Sequence, residues 1–463
     1  MFEKFLNIFR VPDLRRRVLF TLGILAVYRL GAHITTPGVN VAALESFFNN
    51  QAGSSLGLVD LFSGGNLRRL TVFALGIMPY ITASIIFQLL TVVYEPLAKL
   101  QKEGELGRRK ITQWTRYVTV VLGIVQSTAI AVALRSSSGN LVLNPGFSFI
   151  AMTVITLTAG TTFIMWLGEQ ITERGIGNGM SLLIFAGIVV GLPRGIADLV
   201  ATARAQRFGV FTVPLLIGLV VAMVAIVAFI VFVERSERRI PVQYAKRIVG
   251  RRLMGGQSTH LPLKVNSGGV MPIIFAASVL SAPMLFGQAA FVKNSAWLSR
   301  TFDALRAGEP AYELLYMISI VFFAYFYISI VFRPDDIADN MRKYGGFIPG
   351  IRPGRRTSDY VNEILTRMTL VGAIYLIIVA IIPQLLISGI HLNHLWLVGG
   401  WFESLPSWMT NGMGFNFYFG GTSLLIVVGV AMDTVNQVES QLIMRHYEGF
   451  SPKSGRIRGR RAW

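Results

Sequence analysis

Long uncharged apolar runs, each about one bilayer crossing in length, recur along this chain and leave it few ways to fold. A span needs about 20 mostly apolar residues, and lipid offers no partner for backbone N–H and C=O groups, so such a run must be helical. Ten runs qualify: 18–36, 70–93, 117–134, 147–168, 175–193, 211–233, 269–291, 314–332, 368–390 and 415–432. Charged residues make up 14% of the 463, against about 25% in a soluble domain, and they cluster between the runs. The expected fold class is an all-α polytopic membrane protein. The first run follows Arg15-Arg16-Arg17 but lacks a small-residue cleavage site, so it is expected to stay as a span.

The charge pattern orients the chain. Ten spans leave both termini on one side. The termini and the loops on that side carry 33 Lys and Arg, the alternate loops 9. Basic residues stay in loops that are not translocated, so both termini are expected in the cytoplasm. A net charge of +19 also suits contact with RNA or acidic proteins. There are no cysteines, which excludes disulfides, thiolate metal sites and cysteine nucleophiles. Five spans followed by five of similar spacing suggest a two-fold repeat of the kind transporters and channels use.

Two of the basic loops are long. In 234–264, Ile240, Val242 and Tyr244 alternate with other residues, as do Leu261 and Leu263, which predicts short strands. In 333–367, YGGFIPGIRPGRR reads as a structured turn punctuated by Gly and Pro. Arginine makes bidentate contacts to phosphate and carboxylate, so these loops fit either a docking surface or a plain solvated basic face.

The span interiors hold no Asp, Glu or Lys; Arg29 and His33 lie near one end of the first. An ion-coupled transporter needs intramembrane carboxylates or histidines, and none is offered. Gly104–Lys110 lacks the phosphate-loop spacing. A membrane-embedded enzyme would need paired carboxylates or a His cluster. Glu169 and Glu173 are a conceivable pair, but no histidine accompanies them, and they read as interfacial. If the chain moves something, a partner supplies the energy. Ile77 and Ile81 share a helical face, as do Met180 and Ile184, while Ile274 and Ile426 lie inside other spans. Spacing alone allows ordinary packing or a dewetting constriction. Pro79 and Pro272 are expected to kink their helices. Gln88, Gln126 and Ser278 at membrane depth suit interhelical hydrogen bonds or a polar seam between separable helices.

The blocks SGGN, ALGIMPYITASII, KEGELGRRK, MWLGEQITERGIGNG, ERRIPVQYAKR, QSTHLPLKVNSGGVMP, YGGFIPGIRPG and FGGTSLLIVVGVAMD occur in this order over nearly the whole chain. In these the chain resembles the SecY family of protein-translocation channels. The resemblance implies two five-helix halves around a pore, here 1–193 and 194–438, followed by a basic cytoplasmic tail, 439–463. It implies a pore ring of Ile77, Ile81, Met180, Ile184, Ile274 and Ile426, with Met180 standing where many relatives carry isoleucine. It implies a plug helix at about 55–67 with Leu58, Leu61 and Phe62 as its apolar face and Gly64-Gly65 as its hinge. A lateral gate would lie between spans two and three and spans seven and eight, with Pro79, Gln88, Gln126 and Ser278 in three of them. Docking of the SecA motor ATPase and the ribosome would fall on Arg251, Arg252, Arg352, Arg355 and Arg356. SecE-like and SecG-like small subunits, signal sequences, nascent chains and membrane lipid complete the implied partners. No cofactor and no enzymatic activity are implied.

Overall fold

The structure, a computed structural model, describes residues 11–50, 60, 63–136, 141–204, 212–244, 247–249, 252–254, 259–286, 301–302, 304–305, 309–388 and 421–448. Each of the ten apolar runs holds a helix. They are α1 (Pro12–Gly31), α3 (Met78–Val93), α5 (Glu105–Ser136), α6 (Phe147–Arg174), α7 (Gly179–Arg204), α8 (Thr212–Arg235), α9 (Met271–Phe286), α10 (Pro310–Val331), α12 (Arg355–Ser388) and α13 (Gly421–Glu448). Shorter helices are α2 (Val41–Asn50), α4 (Glu95–Lys102) and α11 (Pro334–Lys343). Among the described residues, five helical stretches are by themselves long and apolar enough to cross a membrane, and the pair α3–α4, bent by 99°, makes a sixth.

The second run does not form one helix. From Asn66 to Ile77 the chain runs through turns, with Leu70 at φ 42° and Gly76 at φ 56°, and α3 begins only at Met78. Pro79 therefore sits in the first helical turn, where a missing N–H breaks no hydrogen bond. Pro272 likewise is the second residue of α9. The expected kinks at both prolines are absent because each proline starts its helix. Pro193, by contrast, lies inside α7.

The long helices pack as two sets, α1, α3, α5, α6 and α7, then α8, α9, α10, α12 and α13. The sets meet along two seams. In one, α9 lies against α3 and α5; in the other, α7 lies against α8 and α13. One buried apolar cluster runs through both sets and includes Tyr28, Phe73, Ile164, Leu183, Ile273, Phe323, Leu376 and Leu425.

The two long basic loops join in one module. Strand β1 (Glu237–Tyr244) pairs antiparallel with β4 (Thr259–Lys264), with Ile240 opposite Leu261 and Val242 opposite Thr259. Between them, β2 (Arg247–Val249) pairs with β3 (Arg252–Met254). Strand β5 (Gly346–Phe347), from the second loop, adds to the other edge of β1. The alternation read in the sequence holds in part: Ile240, Val242 and Leu263 are buried and Leu261 half-buried, while Tyr244, at the end of β1, is exposed. Ile240 and Leu263 cover a core of Ile348, Val361, Ile364, Leu365 and Met368. The last four of these belong to α12, so what reads as loop up to residue 367 is already helix from Arg355.

Candidate functional site

The five predicted ring isoleucines share one buried apolar cluster, and three of them, Ile81, Ile184 and Ile274, line a common cavity. Ile77 stands just ahead of α3, Ile81 on it, Ile184 on α7, Ile274 on α9 and Ile426 on α13, and all five lie in the central apolar cluster. Ile426 is fully buried and the others are nearly so. Met180 packs partly buried against the same cluster. Nothing polar holds these side chains to one another, so dispersion and exclusion of water hold this aliphatic cluster, here called the throat, together.

On one side of the throat a cavity of about 430 Å³ opens. It is lined by the aliphatic side chains Ile81, Met180, Ile184 and Ile274, by Met271 and Phe275, and by polar groups that include Ser84, Gln88, Asn178, Arg116 and Glu169. Helix α3 contributes Gln88, Ser84, Ile81 and Tyr80, helix α7 contributes Met180, Ser181 and Ile184, and Asn178 stands just ahead of α7. Arg116 on α5 and Glu169 on α6 form an ion pair at 2.8 Å. The carboxylate suspected of pairing with Glu173 is thus tied to a guanidinium, which is a wall contact rather than an acid–base pair.

On the far side of the throat, one turn beyond Ile184, Gly187 of α7 meets the turn Ser63–Asn66. Gly64 has φ 74°, and a Cβ there would come within 2.7 Å of the Gly187 Cα. Around it the Gly65 N–H and the Ser63 hydroxyl both donate to the Asp60 carbonyl at 2.9 Å. The Asn66 amide donates to the Ser63 carbonyl at 2.6 Å and to the Tyr28 hydroxyl at 3.5 Å. Tyr28 in turn stacks on Phe73, ring centroids 5.6 Å apart. The Asp60 carboxylate accepts from the Arg68 N–H at 2.9 Å and lies 3.5 Å from its guanidinium. Burial pushes that carboxyl above its ordinary range, against the opposing pull of Arg68. Gly64-Gly65 is therefore held in a bonded turn with both glycines at positive φ. Leu58, Leu61 and Phe62 lie outside the described residues.

The polar residues of the gate do not bond to one another. Ser278 on α9 donates to the Ile274 carbonyl at 2.7 Å and lies 3.8 Å from the sulfur of Met78 at the head of α3, across the seam. Gln88 donates to Ser84 on its own helix at 3.0 Å. Gln126 on α5 is buried, and its carbonyl oxygen meets no hydrogen-bond partner among the described residues. The seam between α9 and α3–α5 is thus thinly bonded.

Arg352, Arg355 and Arg356 are exposed at the turn between β5 and α12, where the Arg352 carbonyl accepts from the Thr357 hydroxyl at 3.0 Å. Arg252 is on β3, opposite Val249. Arg251 lies outside the described residues. Sequence reasoning missed Tyr28, Asn66 and Gly187 as one anchoring unit. The SGGN block was the available signal, but nothing local marks Gly187 as its counterpart.

A helical membrane protein with two helix sets and an aliphatic cluster between them that borders a cavity fits the class of channels. Comparison with known proteins defines which. The SecY family model matches residues 71–435. The chain is 48% identical over 448 residues to the protein translocase subunit SecY of Escherichia coli (strain K12), covering 96% of this chain and 95% of that one. It is 46% identical over 463 residues to the protein translocase subunit SecY of Streptomyces griseus, covering 97% of this chain and all of that one. Among solved structures, one described as a protein conducting channel superposes with a TM-score of 0.63 at 17% identity, over 95% of each chain. Sec61 in a canine ribosome-channel complex superposes with a TM-score of 0.59 at 16% identity, again over 95% of each. The chain belongs to the SecY family. It is a multi-pass inner-membrane channel subunit of a protein translocase and not an enzyme. The small-solute transporter and the lipid transferase are set aside.

Proposed function

We propose that the chain forms the central pore through which unfolded secretory polypeptides cross the membrane. The pore ring is Ile77, Ile81, Met180, Ile184, Ile274 and Ile426. The halves 1–193 and 194–438 part along the α9 seam to release transmembrane segments sideways into lipid, and they hinge at the seam of α7 with α8 and α13. A plug at about 55–67 rests under the ring, anchored by the Ser63–Asn66 turn. The module built from loops 234–264 and 333–367 faces the cytoplasm, with both termini, and docks SecA or the ribosome through Arg251, Arg252, Arg352, Arg355 and Arg356. SecE-like and SecG-like subunits flank the helices. The likeness to a channel in a ribosome complex is in keeping with that docking.

The observation that carries this reading is the one cavity lined together by Ile81, Met180, Ile184 and Ile274, which come from both helix sets. An apolar constriction gates by dewetting and makes no bond that would select one passing side chain over another. The test is a stalled secretory polypeptide carrying a photo-crosslinker at mid-membrane depth. It is expected to label Ile81, Ile184 and Ile274; labelling confined to lipid-facing helix surfaces would remove the pore assignment.

A further inference from the structure

Strand β4 ends at Lys264, and α9, which carries Ile274 and Ser278, begins at Met271. The six residues between them form a clamped turn. Asn266 is buried, and its side-chain amide donates to the Glu234 carboxylate at the end of α8 at 2.6 Å and to the Gly269 carbonyl at 3.1 Å. The Val265 N–H donates to the Ser236 carbonyl at 3.0 Å. Helix α12 presses on the same turn at Gly372, where a Cβ would stand 3.1 Å from the Val265 carbonyl oxygen. Helix α13 does so at Gly429, where a Cβ would overlap Val270. Lys264 also approaches Asp433 of α13 at 4.0 Å, but both are half exposed and the pair is weak. The turn thus has little slack, and its short charge-assisted bond ties it to α8.

We infer that Asn266, held by Glu234, is a positioning residue that transmits displacement of the β1–β4 hairpin to helix α9 and so to the throat. A load on the hairpin moves Lys264. The turn, pinned through Asn266 and backed by α12 and α13, passes that movement to the first turn of α9, next to Ile274. With the Asn266 bonds gone the turn absorbs the movement itself. This rests on the reading of the hairpin module as the docking face.

The test uses the full chain in its native membrane complex, in vesicles, with SecA as the docking probe. Asn266→Ala is expected to cut the translocation rate about tenfold per bound SecA, a loss of about 1.4 kcal/mol in barrier terms, with SecA affinity unchanged and the chain still folded, its thermal midpoint lowered by the loss of the buried bonds. Glu234→Gln keeps an acceptor and retains the rate. Glu234→Ala matches Asn266→Ala, and the double variant is no worse than either single one, as partners in one bond behave. If Asn266→Ala does not accumulate, Glu234→Ala carries the test alone. Parental rates in both alanine variants, additive losses, or a rate that falls only in step with bound SecA would overturn the inference. Failure of the docking reading shows separately, as unchanged SecA binding when Arg352→Glu and Arg356→Glu are combined.

Discussion

The proposed throat and the strand module are built on opposite principles. The proposed throat is an apolar cluster of side chains from both helix sets, with aliphatic groups that form no hydrogen bond. The module is held by a six-residue antiparallel ladder, a second strand pairing and its own buried core, all from the α8–α13 part of the chain. Dispersion contacts have no preferred partner and can be remade around any side chain, whereas ladder bonds must be broken one by one. A barrier that yields to every passing residue needs the first kind of contact. A platform that bears load needs the second.

This contrast can be broken at several points. Val361 is fully buried in the module core, so Val361→Asp places an unpaired charge there at a cost of several kcal/mol. The expected outcome is rapid proteolysis of the module and loss of SecA binding, with the helices still inserted; limited proteolysis checks it. Combining Ile81→Gly with Ile274→Gly removes apolar volume from the throat, at roughly 2–5 kcal/mol per site. The resting ion conductance of reconstituted vesicles should rise, and unchanged conductance would count against the seal. Gly64→Ala forces a Cβ into Gly187 at a left-handed backbone position, for about 1–2 kcal/mol. A smaller leak is expected, read in the same conductance assay. Arg352→Glu alters an exposed charge and should leave stability within about 0.5 kcal/mol. It should still impair translocation, measured as processed secretory protein per unit of channel.

Much of the fold was legible because its signals are local. The ten runs each hold a helix, and the alternation at Ile240, Val242 and Leu263 became a half-buried strand, since period and burial are properties of neighbouring residues. Proline was read less well. Pro79 and Pro272 look like kinks inside apolar runs, but hydropathy is blind to backbone direction, and both prolines start their helices instead. The bond between Asn266 and Glu234, 32 residues apart, had no local signature at all. Nor did the contact of Gly64 with Gly187.

Hydropathy and charge segregation determined, unaided, that this chain is a bundle of membrane helices with its basic residues gathered in the loops between them. The cost of an unsatisfied backbone group or a charge in hydrocarbon is paid residue by residue. Which isoleucines meet in the throat, which glycines lock a turn against a neighbouring helix, and how two distant loops join into one module were decided only by tertiary packing. Those contacts depend on helices brought together from far along the chain, and side-chain type carries no record of its partner.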